Sequence, residues 1–175
     1  MLLVGGASRR FGSPKALALL DGETLAERGW RVLGELGCER LAVGKAADAL
    51  PLPLPLVDDG SELRASLVGV VAGLRAAAGE VVVFLPVDAP LVDAPSLRAL
   101  ADACREAAVT QRGPLPGAFR RDVLPRLERR LAAGELRLRD AVAELDAAVV
   151  ELDPALLANV NEPADLDGLV RLRRR

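Results

Sequence analysis

The chain has no histidine, only two cysteines and very few aromatic residues among its 175 positions. Without histidine, it lacks the side chain that most often acts as general base, assists a nucleophile or binds a metal near neutral pH. Cys38 and Cys104 lie far apart in sequence, which favours neither a zinc site nor a disulfide framework. We expect both thiols to be small buried hydrophobic groups. Because aromatic residues make up 2% of the chain, its core must consist mostly of Leu, Val and Ala.

The chain also lacks a strong charge of either sign and any long apolar run. Its formal net charge is −2, which argues against a nucleic-acid surface. No apolar run approaches the length of a membrane span, and the short apolar start at residues 1–4 lacks the flanks of a signal peptide. With 51% hydrophobic and 27% charged residues, we expect a globular, cytoplasmic, single-domain protein over residues 1–175 that binds neither nucleic acid nor membrane.

Short apolar segments alternate with amphipathic segments, which predicts alternating strands and helices. Such alternation is typical of an α/β fold with three layers, α/β/α, and a mainly parallel central sheet. The carboxyl ends of its strands then lie along one edge, where ligands bind. Helix starts are predicted from a capping box at Thr24 and Glu27 and from a cap at Asp93. The predicted strands cover residues 2–4, 41–43, 56–57, 81–85, 108–110 and 147–152, the predicted helices cover 25–36, 67–78, 95–107, 122–133, 137–145 and 163 onwards, and a loop is predicted at 111–116.

Residues 5–15, GGASRRFGSPK, form a glycine-rich basic segment between two apolar segments. Paired glycines let backbone N–H groups approach a phosphate closely, and the segment adds one hydroxyl and three cations. These groups come from Ser8, Arg9, Arg10 and Lys15. One phosphate would not require so many donors, so the segment indicates a polyphosphate site. It matches neither a Walker A loop nor the G-x-G-x-x-G fingerprint. The alternative interpretation is a surface turn with solvated arginines.

A carboxylate follows the most apolar predicted strand, VVVFL at residues 81–85. Five apolar residues without alternation are typical of a parallel strand that is buried on both faces. Asp88 lies directly beyond this strand between Pro86 and Pro90, which hold it rigidly at the ligand-binding edge. Mg²⁺ commonly bridges such a carboxylate to substrate phosphates, so Asp88 is a predicted metal ligand. The alternative is a helix cap or a solvated loop residue.

Two further polar segments occur at the ends of predicted elements. Asp58 and Asp59 follow the strand at 56–57 and precede a glycine, a pattern that, taken alone, favours a turn over a binding site. Near the carboxyl terminus, Asn161 is expected to cap the last helix, with Pro163 in its first turn.

The glycine-rich segment, with its spacing G-G-x-S-x-R-x-G-x-x-K after a strand, resembles the signature loop of nucleotidyltransferases with a Rossmann-like fold. Within that group, residues 2 to about 169 resemble the MobA-type molybdenum cofactor guanylyltransferases. The sequence at 86–90 is similar to the P-C-D-x-P motif of that family, with Val87 in place of Cys. The sequence at 159–166 is similar to its N-[VI]-N-T-P-x-D-L motif, with Glu162 in place of Thr.

The resemblance implies a role for each of these sites. Backbone N–H groups of the signature loop would hold the nucleotide, and Lys15 and Arg10 would balance charge on the triphosphate as pyrophosphate leaves. Asp88 would contact both Mg²⁺ and the nucleotide, and Asp59 would orient the nucleoside. The loop and Asp88 would therefore face each other across one triphosphate. The implied catalytic residues are Lys15, Arg10 and Asp88, the implied nucleotide-binding residues are Leu3, Val4, Gly5, Gly6, Ser8, Lys15, Asp59 and Asp88, and the candidates for lining the site are Asn159 and Asn161.

Residues 113–138 resemble the acceptor side of the same family, in the order of a Pro-Leu pair, a strand-like segment at 117–119, a helix at 122–131 and the sequence Ala-Ala-Gly-Glu at 132–135. There, Gln111, Arg112 and Arg139 are candidates to meet the anionic pterin substrate, and solvated surface is the alternative for the two arginines. Two departures concern the expected base pocket. Gly44 stands where the family often has Asn, and Ala-Ser-Leu at 65–67 stands where many members have Gly-Pro-Leu.

The resemblance, supported by these features, implies an enzyme that transfers GMP from GTP to the terminal phosphate of molybdopterin and releases pyrophosphate, with Mg²⁺ as cofactor. The attacking phosphate is already anionic, so no general base is required, in agreement with a chain without histidine. Two alternatives stay open: a related nucleotidyltransferase that uses CTP or a sugar phosphate, and a non-catalytic protein that binds a nucleotide or the cofactor. The resemblance also implies molybdoenzymes or other cofactor-biosynthesis proteins as candidate partners.

Overall fold

The computed structural model describes residues 1–5, 11 and 14–173. This part of the chain contains nine strands. In chain order they are β1 (Leu2–Leu3), β2 (Leu19–Leu20), β3 (Glu23–Thr24), β4 (Ala42–Gly44), β5 (Leu56–Asp58), β6 (Val81–Pro86), β7 (Ala107–Thr110), β8 (Gly113–Arg120) and β9 (Ala147–Val150).

Seven of these described strands form one sheet, in the spatial order β5-β4-β1-β6-β8-β7-β9, and β2 and β3 form a separate hairpin. Within the sheet every neighbouring pair is parallel except the two pairs that involve β8. The predicted mainly parallel sheet is therefore confirmed.

Helices cover both faces of this sheet. Within the described residues they are α1 (Leu25–Gly34), α2 (Ser66–Ala76), α3 (Ala94–Asp102), α4 (Leu124–Ala132), α5 (Leu138–Val142) and α6 (Pro163–Arg173). Residues of α1, α3 and α6 pack into one apolar core, and residues of α2, α4 and α5 pack into a second. Leu2 and Leu3 of β1 belong to different cores, because successive side chains of a strand point to opposite faces. The three-layer α/β/α arrangement is confirmed.

The helix starts predicted from Thr24 and Asp93 are confirmed, but helices end earlier than expected, α3 most of all. Thr24 Oγ1 accepts a hydrogen bond from the N–H of Glu27 at 3.1 Å, and the Glu27 carboxylate accepts one from the N–H of Thr24 at 2.9 Å. Asp93 accepts from the backbone N–H three residues on, at 2.9 Å. Helix α3 ends at Asp102 and not at Ala107, because Ala107 pairs with both β8 and β9.

In the described chain no helix combines the length and apolar character that crossing a membrane requires.

Strand β8 corrects two predictions. The sequence predicts a loop at 111–116, whereas β8 begins at Gly113. Its first residues include Pro114 and Pro116, which lack an N–H donor, and the register of β7 against β8 shifts at this end. The run VVVFL of β6 predicts a strand with parallel neighbours, but β6 is parallel to β1 and antiparallel to β8. An apolar run indicates burial and carries no information about the direction of the neighbouring strand.

The two cysteines do not both lie in the core. Cys104 is partly buried, and burial raises the pKa of its thiol. Cys38 is exposed in the segment between α1 and β4, so the expectation of two buried thiols is wrong for this residue. It follows Gly37, whose φ of 72° turns the chain after the helix, and a turn at that place leaves the thiol in solvent.

Candidate active site

A cleft of about 520 Å³ lies along the edge where β1, β4, β5 and β6 end. This is the edge at which an α/β sheet of this kind binds its ligands. The sheet therefore brings together residues that lie far apart in the sequence. The predicted site residues that line the cleft are Leu3, Val4, Gly5, Lys15, Asp59, Asp88 and Asn159.

Three of the predicted site residues, Gly6, Ser8 and Arg10, lie outside the described residues. Their roles stay predictions. The loop is described at Gly5, where it leaves β1, and from Pro14, where a short 3-10 helix at Lys15–Leu17 begins.

Lys15 and Asp88 lie next to each other at the cleft. Their Nζ and Oδ2 atoms are 3.5 Å apart, and 16% and 30% of their side chains are exposed. The expected proximity of the loop lysine and the acid after β6 is therefore observed. Lys15 Nζ also donates to Oδ1 of Asn161 at 3.4 Å. A cation and an anion that share one open cleft can together hold a triphosphate and a metal ion.

Backbone contacts fix the segment that carries Asp88. The N–H of Val87 donates to the carbonyl of Leu3 at 3.0 Å, which ties the segment to β1. The N–H of Val160 donates to the carbonyl of Asp88 itself at 2.8 Å. The buried Arg28 of α1 donates through Nε to the carbonyl of Pro90 at 2.9 Å. Three elements therefore hold the main chain around this carboxylate.

The two asparagines near the carboxyl terminus have different positions. Asn159 lines the cleft. The side chain of Asn161, expected to cap α6, instead accepts a hydrogen bond from Lys15, so that expectation is wrong. The carboxylate of Asp165 accepts from the N–H groups of Asn161 and Glu162, at 2.7 and 2.9 Å. These two bonds lower the pKa of Asp165. Asp165 therefore binds the backbone N–H groups at the start of α6. The amide side chain of Asn161 contacts Lys15 instead.

The two aspartates at the end of β5 also have separate tasks. Asp58 Oδ1 accepts from the N–H of Ala46 at 3.1 Å and of Gly60 at 3.3 Å, and these bonds lower the pKa of Asp58. Asp58 therefore shapes a turn, as expected. Asp59 lines the cleft and forms a bidentate ion pair with Lys45, at 2.9 and 3.0 Å.

Sequence reasoning missed Lys45. The available signal was its place directly after β4, at the same edge of the sheet as the other site residues.

Arg112 and Arg139 line the end of the cleft near the β7–β8 turn, as predicted. Gln111 does not line it. Its side chain donates to the carbonyl of Leu152 at 2.6 Å and accepts from the N–H of the same residue at 3.2 Å, so it joins the chain after β9 to the β7–β8 turn. The prediction that Gln111 contacts the substrate is therefore not supported. Arg112 and Arg139 are the two cations that line this part of the cleft.

The two departures in the expected base pocket lie at the cleft wall. A Cβ atom at Gly44 would lie 2.8 Å from Cγ2 of Val4, so this position leaves no room for a polar side chain unless the strands shift. Ala65 and Ser66, at the start of α2, line the cleft, while Leu67 is fully buried. Position 44 therefore contributes backbone but no side chain to this wall of the cleft.

The carboxylates that line the cleft, and could therefore bind a metal ion there, are Asp59 and Asp88. The described residues contain no group of three or more His, Cys, Asp or Glu that could hold one. Asp59 is buried against the Lys45 ammonium, whereas Asp88 pairs with Lys15 at the longer distance of 3.5 Å and is 30% exposed, so Asp88 can exchange this partner for a metal ion. A single hard oxygen ligand fits Mg²⁺, which keeps several waters and takes its remaining ligands from substrate phosphates.

The chain is similar to a known protein family and to named proteins of that family. A family model described as "MobA-like NTP transferase domain" matches residues 1–149. A protein of Deinococcus radiodurans named "Probable molybdenum cofactor guanylyltransferase" is 38% identical over 178 residues, which cover 96% of this chain and 91% of that protein.

Two solved structures share the fold. Molybdopterin-guanine dinucleotide biosynthesis protein A from Archaeoglobus fulgidus has a TM-score of 0.80 at 22% identity, over 99% of this chain and 97% of that one. The 2-C-methyl-D-erythritol 4-phosphate cytidylyltransferase of Thermus thermophilus has a TM-score of 0.74 at 20% identity, over 99% and 98% of the two chains. The predicted Rossmann-like nucleotidyltransferase fold is therefore confirmed.

Proposed function

The chain belongs to the family of MobA-like NTP transferase domains, and on that premise we propose that it transfers GMP from GTP to molybdopterin and releases pyrophosphate. The observation that carries this proposal is the placement of Lys15 beside Asp88, 3.5 Å apart, in a cleft at the carboxyl ends of the strands. A cleft of about 520 Å³ has the size of a site for a small ligand.

Positioning and charge neutralisation supply most of the rate enhancement in such a displacement. The N–H of Val4 donates to the carbonyl of Val43 at 2.9 Å within the sheet, so the prediction that it binds the nucleotide is wrong. The backbone at Leu3 and Gly5 would contact the nucleotide where β1 ends. Lys15 would balance negative charge on the triphosphate as pyrophosphate leaves. The acceptor phosphate is itself the nucleophile, so the chain needs no general base.

Asp88 is proposed to hold Mg²⁺ together with the phosphates of the nucleotide. Mg²⁺ bound there would neutralise charge on phosphate oxygens and polarise the α-phosphorus. The bonds from Val160 to Asp88 and from Arg28 to Pro90 would keep this carboxylate in place. Arg10 is proposed to assist Lys15, and Gly6 and Ser8 to extend the phosphate-binding loop.

Arg112 and Arg139 are proposed to receive the anionic acceptor. They line the cleft on the β8 side of β6, whereas Asp59 lines it on the β5 side. This separation would leave the nucleoside on one side of Asp88 and the pterin on the other. The α-phosphate would then lie between them.

CTP is the principal competitor for the nucleotide site. The fold is shared with a cytidylyltransferase, so the fold does not choose between the bases. The family resemblance places an Asn near the expected base pocket where this chain has Gly44, so a side chain at that position does not distinguish guanine from cytosine here.

The deciding experiment measures pyrophosphate release by the purified full chain with molybdopterin, Mg²⁺ and either GTP, CTP or UTP. We expect release with GTP at a kcat/KM at least about tenfold above that with CTP, the difference made by about one hydrogen bond in the base pocket. Preferential use of CTP would refute the guanylyl assignment. Binding of GTP and molybdopterin without any pyrophosphate release would favour the non-catalytic alternative.

The cytoplasm as the location, and molybdoenzymes or other cofactor-biosynthesis proteins as partners that receive the product, are proposed from the family resemblance.

A further inference from the structure

The cleft wall contains an ion pair of Lys45 and Asp59 in which the family resemblance gives Asp59 a role towards the nucleoside, whereas the proposed reaction gives Lys45 none. Lys45 follows β4 and Asp59 follows β5, and because these strands are neighbours the sheet brings the two residues together. Only 8% of the Lys45 side chain and 9% of the Asp59 side chain are exposed, although both residues line the cleft. Desolvation offsets much of the attraction within a buried pair. Stability alone therefore does not account for this pair.

The bonding of Lys45 decides which of the two residues can bind a ligand. An ammonium group has three N–H donors. Nζ of Lys45 lies 2.9 Å from Oδ1 and 3.0 Å from Oδ2 of Asp59, and it also donates to the carbonyl oxygen of Ser61. These three bonds use all three donors, so Lys45 has none to give to a phosphate.

Asp59 keeps one acceptor position. Each carboxylate oxygen has room for about two hydrogen bonds. Oδ1 accepts from Lys45 and, at 3.0 Å, from the N–H of Ser61. Among the described residues, Oδ2 accepts from Lys45 alone. The main chain of Asp59 is fixed as well, because its N–H donates to the carbonyl of Gly44 at 2.8 Å.

We infer that Lys45 is a positioning residue, which holds the Asp59 carboxylate so that Oδ2 accepts one hydrogen bond from the nucleoside part of the bound nucleotide. The inference rests on the proposed function, since it concerns the same NTP. The group that Oδ2 accepts from is a ribose hydroxyl or a base N–H. A metal ion is disfavoured there, because the Lys45 ammonium lies 3.0 Å from Oδ2. The two cleft carboxylates thus differ: the pair of Asp88 with Lys15 is accessible to solvent and can be replaced by a metal ion, whereas the buried Asp59 offers one acceptor position to a neutral donor.

The test measures nucleotide binding by calorimetry with the full chain and Mg²⁺, independently of turnover. The ligands are GTP and four analogues that each lack one donor: ITP without the amino group, 1-methyl-GTP without the base N1–H, and the 2′-deoxy and 3′-deoxy forms of GTP. We expect one analogue to bind wild-type protein at least about tenfold more weakly than GTP, the effect of one hydrogen bond to a charged acceptor. The identity of that analogue tells base from ribose.

Lys45→Met and Asp59→Asn are expected to weaken GTP binding by at least about tenfold and to abolish the discrimination against that analogue. The Lys45→Met/Asp59→Asn double variant should lose no more GTP affinity than Asp59→Asn alone. With saturating nucleotide, kcat should change less than KM. The matched control is Arg75→Met, which also removes one cation from an ion pair, in this case the exposed pair with Glu128 away from the cleft; its GTP affinity should equal that of wild type.

Equal binding of GTP and all four analogues to wild-type protein would overturn the inference, as would a Lys45→Met variant that keeps the discrimination. If circular dichroism shows Lys45→Met to be unfolded, the double variant decides, because it leaves no unpaired buried charge. Discrimination retained in the double variant overturns the inference, and its loss supports it. Wild-type protein that binds no GTP at all would refute the proposed function, an outcome distinct from GTP binding without discrimination.

Discussion

Lys15 and Asp88 form an ion pair that would have to open for the substrate to bind as proposed. Both side chains reach solvent at the cleft, with 16% and 30% exposed. Pairs with such access to water contribute about 0–1 kcal/mol. Interactions with a triphosphate and a divalent cation are far stronger, so this pair is readily replaced. The buried pair of Lys45 and Asp59 contrasts with it, because each of its charges would be left uncompensated if the other moved away.

Removing either charge at this position should stop turnover without unfolding the protein. Lys15→Met deletes the cation that balances the leaving pyrophosphate, and Asp88→Asn weakens the ligand proposed for Mg²⁺. Each variant should lower kcat at least about 100-fold, the usual effect of losing one group that stabilises developing charge. Single-turnover release of pyrophosphate from GTP measures this effect.

The control for these variants is Arg105→Met, which breaks an exposed pair with Asp146 outside the cleft lining. It should retain wild-type kcat. Wild-type rates in either Lys15→Met or Asp88→Asn, together with a wild-type circular dichroism spectrum, would count against the proposed site.

At the scale of elements, helix α2 packs closely against the central sheet. Helix α2 crosses β6 at Gly73, and a Cβ atom at this position would collide with the ring of Phe84. Phe84 is fully buried and packs edge-to-face with Phe119 of β8, with ring centroids 5.8 Å apart. The ring therefore has little room to move. A residue with low helix propensity is kept here by packing.

Gly73→Ala should destabilise the protein although alanine is the better helix former. Overpacking a rigid core costs about 1–3 kcal/mol, while alanine gains about 1 kcal/mol over glycine in a helix, so a net loss is expected. Gly168→Ala in α6 is the matched control, because no described heavy atom lies within 4 Å of a Cβ placed there. That variant should raise the free energy of unfolding by up to about 1 kcal/mol. Urea unfolding measures both, and equal signs would contradict the packing argument.

At the scale of the whole molecule, the cleft joins segments that come from most of the chain. Its walls include Gly5 after β1, Asp59 after β5, Asp88 after β6 and Asn159 before α6. Bound nucleotide would therefore contact elements that pack into both apolar cores. Its binding should stabilise the fold as one unit.

Mg²⁺ and GTP together should raise the melting temperature. At a GTP concentration of about 100 times Kd, the stabilisation is about 2.7 kcal/mol, which corresponds to about 5–10 °C for a chain of this length. Chelation of Mg²⁺ with EDTA should remove most of this shift, and so should Asp88→Asn. Differential scanning fluorimetry measures it. An unchanged shift in EDTA would show that the nucleotide binds without the metal.

Much of this architecture could be read from local sequence. Alternating apolar and amphipathic segments predicted the three layers, because burial on a strand or a helix face imposes its own period. The capping box at Thr24 and the cap at Asp93 were correct, since a cap depends on residues within one helical turn. Lys15 and Asp88 were expected together, because each follows a strand end and parallel strands end at one edge.

Contacts between distant segments could not be read in this way. The antiparallel direction of β8, the pairing of Lys45 with Asp59 and the contact of Asn161 with Lys15 join residues whose spacing in the sequence implies none of them. Asn161 looked like a helix cap because its local pattern fits one, yet Asp165 provided a competing acceptor. The local sequence pattern shows which polar and apolar side chains need an interaction partner. Which residue becomes that partner depends on the tertiary structure, because the order of the strands in the sheet decides which distant segments meet.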